Sequence, residues 1–305
     1  MFRYIVRRVL WLLLVLFVVL LITFILMHLT PGGPWDREKA LAPKVIDALN
    51  KRYGLDLPLY QQFLKYIWGV AHGDLGVSYS YADRNVTSIL LQGFPKTATL
   101  GVLAFLVAQT IGIPLGMAAA LRQNTAVDYS SVLFSTVFAA IPGFVLGILL
   151  MIVFSVLLHW LPTSGWGSPL QIIMPVICLA ALPAAQSSRI TRASTLDVMR
   201  MDYVRTARSK GLAENVVRLR HIFRNSLIPV VTVAGPELAN LITGSFIIEN
   251  LFAIPGIGRL FVQGVFARDY SLIMGGILFY SFSIAILNLV VDIMYAIIDP
   301  RIRYN

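Results

Sequence analysis

Long apolar runs separated by shorter polar segments dominate the chain. Six such runs lie at residues 9–29, 98–121, 131–158, 170–188, 227–248 and 274–298. Each has about the length needed to cross a bilayer as a helix, which takes roughly 20 mainly apolar residues. The first run follows a basic start but is too long for a signal-peptide core and has no small-residue cleavage site after it, so we expect it to be retained. The pattern predicts an all-α membrane protein with six transmembrane helices.

The segment between the first two runs, residues 30–97, is too polar to span a membrane. Pro43 suits the first turn of a helix and Gly54 suits its C-terminal stop. A second amphipathic stretch at 60–68 ends before His72-Gly73. We expect a small helical extracytoplasmic cap, which either packs over the bundle or contacts an extracytoplasmic partner. The predicted units are then a first helix (1–29), the cap segment (30–97), a transmembrane core (98–298) and a tail (299–305).

Composition and charge fix the environment and the orientation. Apolar residues make up 57% of the chain and charged residues only 13%, which is too few charges to cover a soluble surface. The net charge of +10 would suit nucleic acid, but nine of the 25 basic residues lie in one segment, 189–226. Such clustering is typical of cytoplasmic loops under the positive-inside rule. We therefore expect a multi-pass membrane protein in contact with lipid, with both termini cytoplasmic and no nucleic acid partner.

The motifs of common catalytic sites are missing from the sequence. No phosphate-binding loop of the Gly-x-x-x-x-Gly-Lys-[Ser/Thr] type is present, so we expect this chain not to hydrolyse ATP. The four histidines are scattered, and Cys178 is the only cysteine, so neither a metal site nor a disulfide is predicted. We expect a protein that is not an enzyme and binds no cofactor itself.

The basic segment 189–226 has its own helical pattern. Leu196, Met199, Tyr203 and Ala207 follow a 3.6-residue period, which predicts one apolar stripe with the basic side chains turned elsewhere. Lys210-Gly211 is typical of a helix end, and a second amphipathic stretch follows at 216–223. We expect two short cytoplasmic helices joined at a glycine. On periodicity alone, such helices equally suit the anionic inner leaflet.

The amino-acid sequence of this segment resembles that of a known family. Residues 203–212, YVRTARSKGL, and 224–229, RNSLIP, resemble the EAA loop of ATP-binding cassette (ABC) importer permeases, in the branch that imports oligopeptides, dipeptides and nickel chelates. Residues 250–258, NLFAIPGIG, and 298–304, IDPRIRY, resemble the last outer loop and the C-terminus of that branch. The resemblance covers essentially the whole chain and is greatest to B-type oligopeptide permease subunits. Arg205 and Thr206 stand where Glu and Ala are usual in the wider EAA pattern.

This resemblance implies a type I ABC importer permease fold, a place in the cytoplasmic (inner) membrane of a bacterium or archaeon, and a peptide cargo, with nickel chelates or glutathione as alternative cargoes. It also implies four kinds of partner: a second, C-type permease subunit, two cytoplasmic ATPase subunits that bind ATP and Mg, an extracytoplasmic substrate-binding protein and the peptide substrate. It further implies that the cytoplasmic loop couples the chain to an ATPase. The implied coupling residues are Leu196, Met199, Tyr203, Arg205, Thr206, Ala207, Arg208, Lys210 and Gly211.

Polar residues inside the apolar runs are candidates for the translocation pathway, because lipid disfavours unpaired polar groups. They are Glu237, Asn240, Asn288 and Asp292. Glu237 either faces the pathway or makes an interhelical hydrogen bond, and Asp292 suits a salt bridge near the inner face.

Two alternative classes remain beside the importer. An ion-coupled secondary transporter would use Glu237 and Asp292 as proton sites, but it predicts inverted repeats, and the sequence has no such self-similarity. A basic membrane anchor would need neither a cap nor a patterned inner loop.

Overall fold

The computed structural model describes residues 2–35, 42–81 and 83–298, with side chains for 6–35, 42–81 and 83–291. Regular structure in these residues is helical, apart from one isolated antiparallel bridge between Val77 and Asn85. Two of the helices continue as π-helical turns, at Met151–Leu157 after α6 and at Val217–Phe223 between α9 and α10. The helices are α1 (Phe2–Leu29), α2 (Pro43–Tyr53), α3 (Leu59–Ala71), α4 (Val86–Leu121), α5 (Ala126–Ala140), α6 (Gly143–Leu150), α7 (Pro169–Met199), α8 (Asp202–Ser209), α9 (Glu214–Val216), α10 (Arg224–Thr243), α11 (Phe246–Leu251), α12 (Ile257–Phe266) and α13 (Tyr270–Ile298).

Five helical segments in the described residues are long and apolar enough to cross a membrane. They are Val6–Leu29, Val86–Leu121, Pro169–Met199, Glu214–Leu251 and Tyr270–Val291. A sixth crossing exists if the bent pair Ala126–Ala140 and Gly143–Leu157 is counted as one span.

The predicted third span, 131–158, is wrong as one continuous helix. Its two halves meet at an angle of 100°. Ile141 takes an extended conformation, with φ −84° and ψ 120°, because the ring of Pro142 disfavours helical geometry in the residue before it. An apolar run alone does not distinguish a broken span from a straight one.

Glycines let α4 and α7 approach each other closely. A Cβ on Gly112 would lie 2.6 Å from the carbonyl oxygen of Ala184, and one on Gly116 would lie closer still to the carbonyl oxygen of Ser188. Small residues spaced by four allow such backbone contact in membrane helices. The two glycines thus allow the backbones of α4 and α7 to lie in direct contact.

The cap is helical, as predicted, and packs on one end of the bundle. Pro43 begins α2, and Gly54 ends it with φ 71°. In α3, the ring of Phe63 lies 5.1 Å from that of Phe24 in α1. The carboxylate of Asp269, just before α13, accepts hydrogen bonds from the Ser78 hydroxyl (2.5 Å) and from the backbone N–H groups of Ser80 and Leu272 (both 3.0 Å). The cap is thereby joined to both α1 and α13.

The predicted boundary of the cap at residue 97 differs from the structure. Helix α4 already begins at Val86, because the side chain of Asn85 accepts a hydrogen bond from the backbone N–H of Thr87 and caps it. Residues 86–97 thus belong to the second spanning helix.

Candidate functional site

The basic segment 189–226 has a different architecture from the predicted pair of short helices. Helix α7 continues through the fourth span to Met199, so Leu196 and Met199 lie in its last turn. The chain then breaks at Met201, which is extended with φ −72° and ψ 145°, before α8 begins at Asp202. The predicted stripe from Leu196 to Ala207 on one helix is therefore wrong, because Leu196 and Met199 lie in α7 whereas Tyr203 and Ala207 lie in α8.

The end of α8 agrees with the sequence prediction. Lys210 follows the last helical residue, and Gly211 takes the left-handed conformation with φ 77°. Most side chains avoid this conformation, and glycine does not.

The side of α8 that faces the protein is small and apolar. Val204 is fully buried and Ala207 is 5% exposed, and both pack with Val217 and Ile222 of the following helical segment. Met199 of α7 packs against the same cluster. Ala207 and Met199 therefore support α8 from within rather than presenting a surface.

The opposite side of α8 is open and carries an aromatic and several cations. Tyr203 is 42% exposed, and Arg205, Thr206 and Arg208 are exposed as well. Met201, at the start of the helix, is 49% exposed. We call these five residues the coupling surface, after the role that the sequence resemblance implies for this loop.

The carboxylate of Glu214 binds two arginines at the turn that follows α8. The side chain of Arg208 donates to both carboxylate oxygens of Glu214, at 3.2 and 3.0 Å, and Arg218 donates to Glu214 at 3.3 Å. These groups are 42–49% exposed, so each pair contributes at most about 1 kcal/mol. Glu214 also lies in the first helical turn, where the helix dipole favours a negative charge.

The segment after this turn is not a separate cytoplasmic helix. It runs from Glu214 through the π-helical turn Val217–Phe223 into α10, the fifth span. Helix α8 is thus joined by short connections to spanning helices at both ends.

Among the intramembrane candidates, Glu237 makes an interhelical hydrogen bond. The side-chain amide of Gln109 in α4 donates to its carboxylate at 2.9 Å, and the hydroxyl of Ser187 in α7 donates to the Gln109 side-chain oxygen at 3.0 Å. The chain of bonds links α10, α4 and α7. Asn240 is exposed on α10 and Asn288 is half-buried in α13.

The remaining candidate and the C-terminal motif are not fully covered by the structure. Asp292 lies in α13, but its side chain is not among the described ones. Residues 299–304 of the motif lie outside the described residues.

Two buried acidic residues were missed in the sequence. The carboxylate of Asp128, in α5, binds the Arg192 guanidinium of α7 at 2.5 and 2.8 Å. Glu249, fully buried in α11, accepts hydrogen bonds from the backbone N–H groups of Gly258 and Arg259 at the start of α12. Both lie in otherwise apolar helices, and an acidic residue in such a sequence indicates a buried carboxylate with a specific partner.

Comparison with known protein families covers almost the whole chain. The family described as "Binding-protein-dependent transport system inner membrane component" matches residues 112–304. The family described as "Binding-prot-dependent transport system membrane comp, N-term" matches residues 1–101.

Individual relatives match from end to end. The oligopeptide transport system permease protein OppB of Salmonella typhimurium is 40% identical over 306 residues, covering 100% of both chains. The OppB of Escherichia coli K12 has the same identity and coverage. The dipeptide transport system permease protein DppB of Bacillus subtilis is 38% identical over 305 residues, covering 100% of this chain and 99% of its own.

A solved structure of the MetNI methionine ABC transporter, in an inward-facing conformation, shares the fold. It superposes with a TM-score of 0.54 at 15% identity, covering 69% of this chain and 96% of the MetNI chain.

Proposed function

The chain belongs to the family of binding-protein-dependent transport system inner membrane components, and we propose that it is the permease subunit of an ATP-driven importer that carries oligopeptides or dipeptides into the cell. Family membership confirms the resemblance inferred from the cytoplasmic loop, and the fold shared with MetNI confirms the expected importer permease fold. The chain is a multi-pass component of the inner membrane and is not itself an enzyme. The single observation that supports the peptide cargo is its end-to-end similarity to permeases of two peptide systems.

The family implies an ATPase and a binding protein as partners. In the proposed assembly this chain pairs with a second, C-type permease, two cytoplasmic ATPase subunits bind ATP and Mg, and a binding protein delivers peptide from outside. Both termini lie in the cytoplasm, on the same side as the basic segment 189–226.

The coupling surface is the proposed contact with one ATPase. An exposed tyrosine beside arginines is the composition that dominates binding energy in protein interfaces. Tyr203 and Met201 would enter an apolar groove, while Arg205 and Arg208 lie over its rim. Because Val204 fixes the other side of α8 to the protein, a movement of the ATPase is transmitted to α8 as a whole.

The pathway is proposed to lie beside α10, with Asn240 and Asn288 as its nearest candidates. The hydrogen bond from Gln109 gives Glu237 an interhelical role, so Glu237 is the less suitable pathway residue. In an ion-coupled secondary transporter, by contrast, Glu237 and Asp292 would carry protons. Collapse of the proton gradient at constant ATP separates the two functions, since peptide uptake stops only in the secondary transporter.

Truncation of Tyr203 tests the coupling role. Tyr203→Ala is compared with Tyr60→Ala, which removes a tyrosine that is 64% exposed on α3 of the cap. Loss of a central interface aromatic costs about 2 kcal/mol or more, or roughly 30-fold in affinity. We expect Tyr203→Ala to lose ATPase co-purification and ATP-driven uptake of labelled trialanine into proteoliposomes, and Tyr60→Ala to keep both.

Two results would contradict these proposals separately. Full co-purification by Tyr203→Ala would remove the coupling assignment while leaving the cargo untouched. Uptake of a nickel chelate or glutathione in place of trialanine would overturn the cargo and leave the coupling surface in place.

A further inference from the structure

A cavity of about 270 Å³ lies beneath the cap, between α1, α3 and the start of α13. Four tyrosines contribute to its wall: Tyr53, Tyr66, Tyr79 and Tyr270. Pockets for drug-sized ligands begin at roughly 300 Å³, so this one suits a smaller molecule. None of the coupling residues or intramembrane candidates lines it.

Two buried polar atoms of this wall have no hydrogen-bond partner among the described residues. They are Nε2 of His28 and the hydroxyl oxygen of Tyr66. A buried polar group without a partner costs about 1–3 kcal/mol, so a folded protein rarely retains two of them in one cavity unless a ligand or water completes them.

The chemistry that His28 needs is fixed by its other nitrogen. Nδ1 lies 2.8 Å from the carbonyl oxygen of Phe24, and because a carbonyl oxygen only accepts, Nδ1 carries a proton and donates. In the neutral ring, Nε2 is then an acceptor. Its missing partner is therefore a donor.

The rest of the inner wall also favours a cation. Burial raises the pKa of Tyr66 and raises that of Tyr79 to about 12, so both hydroxyls stay protonated and uncharged at neutral pH. Tyrosine ring faces attract an ammonium group, and Asp74, an exposed residue of the cavity lining, adds a negative charge.

The opening of the cavity has the opposite charge. Arg52 contributes to the wall while its side chain is 58% exposed, and Lys65 is exposed as well. Arg52 already pairs with Asp83, so Lys65 is the more suitable cation for a bound anion. The cavity is thus lined for an ammonium group inside and for an anionic group at its opening.

We propose that this cavity binds a small zwitterion, with its primary ammonium group on His28 Nε2 and the Tyr66 hydroxyl and its anionic group toward Lys65 and Arg52. This site lies outside the proposed transport route and does not depend on the peptide cargo. Two sources offer this chemistry. One is a free amino acid or dipeptide, and the other is the phosphoethanolamine headgroup of a lipid, since His28 lies one residue before the end of α1.

Binding is measured on the full chain in nanodiscs of phosphatidylglycerol, a lipid without an ammonium group. Dialanine is titrated calorimetrically beside N-acetyl-dialanine, which lacks the charged amine. In a second arm, nanodiscs containing phosphatidylethanolamine are examined by native mass spectrometry for retained lipid and are also titrated with dialanine.

Each test variant keeps an aromatic ring at the position and removes its polar atoms. His28→Phe preserves the aromatic contacts of His28 with Phe24 and Tyr270, and Tyr66→Phe removes one hydroxyl. The matched control is Tyr60→Phe, which removes an exposed hydroxyl from the same helix α3.

We expect dialanine to bind, N-acetyl-dialanine to bind at least about tenfold more weakly, and each test variant to lose about tenfold or more in affinity, as for a hydrogen bond to a charged group. Tyr60→Phe should change nothing. If only phosphatidylethanolamine is retained, and the two test variants release it, the headgroup is the source and the site stands. The proposal would be overturned if the unmodified protein bound neither dialanine nor phosphatidylethanolamine, or if both test variants bound them as well as it does. Trialanine uptake is not part of this readout, so failure here leaves the proposed importer function unaffected.

Discussion

Replacement of Arg192 by methionine removes one partner of the ion pair that joins α5 to α7. The Asp128 side chain is 3% exposed and that of Arg192 is 28% exposed. The carboxylate accepts from Arg192 Nε at 2.5 Å and Nη2 at 2.8 Å, and from the backbone N–H of Asn124 at 3.0 Å. In the Arg192→Met variant, only the Asn124 bond would remain to stabilise a buried negative charge.

The two partners should differ in what their loss costs. Removing one member of a buried pair typically costs about 3–5 kcal/mol, because the other charge is left buried. Arg192→Met leaves the more buried partner, so we expect the cost to fall in this range. Asp128→Asn leaves a guanidinium that already reaches the surface, so its cost should be nearer the 1.5–3 kcal/mol or so of a lost charged hydrogen bond. The double variant leaves no buried charge and should be less destabilised than the sum of the two single variants.

Reversible unfolding in mixed micelles of detergent and SDS measures these free energies. Arg189→Met is the matched control on the same helix. Arg189 is exposed, and within the described residues its side chain makes one hydrogen bond, of 3.3 Å to Thr136; a change within about 0.5 kcal/mol is expected for it. An Arg192→Met variant no less stable than Arg189→Met, or additive effects in the double variant, would refute the view that the pair fixes α5 to α7.

Three further predictions concern other buried contacts. Glu237→Gln retains an acceptor for the Gln109 amide and should keep uptake within about twofold, whereas Glu237→Ala should lose about 1–3 kcal/mol of unfolding free energy; loss of uptake in the glutamine variant would favour the proton-coupled alternative. Gly116→Ala brings a methyl group against the Ser188 carbonyl oxygen and should cost about 1–3 kcal/mol, and an unchanged unfolding midpoint would show that the two helices separate freely. Glu249→Ala leaves two backbone N–H groups of α12 without their acceptor and should lower thermal stability by about 1–3 kcal/mol, with a smaller loss for Glu249→Gln; equal stability of all three proteins would contradict the capping role.

The positions of the spanning helices were predictable, but their continuity was not. An apolar run reports that a segment suits lipid, and lipid imposes the same requirement on straight and broken spans. In the third span, Pro142 forces Ile141 out of the helical region, and the bend follows. In the fifth span, the apolar run begins only at residue 227, yet the helix already begins at Glu214. This earlier part is stabilised by the packing of Val217 and Ile222 against α8 and not by lipid.

The candidate site shows the same division between local and distant effects. Gly211 was predictable as a helix stop because the signal is local. The break between Met199 and Asp202 was not, because residues on both sides of it fit one 3.6-residue period. The pair of Asp128 with Arg192 joins residues 64 positions apart, and such a distance carries no trace in one sequence.

The contacts of α7 indicate how α8 can act on the membrane part. Helix α7 is fixed to α5 by Asp128 and Arg192, and to α4 by the close approach at Gly116. The Gln109 side chain adds α10 to the same group by hydrogen bonding to Glu237. Because α8 is joined to α7 before it and to the α10 segment after it, a displaced α8 moves this group of helices together. The cap packs instead with α1 and α13 in a separate hydrophobic cluster, so relative motion between the two groups should fall where α4 passes from one to the other, near Thr97 and Gly101.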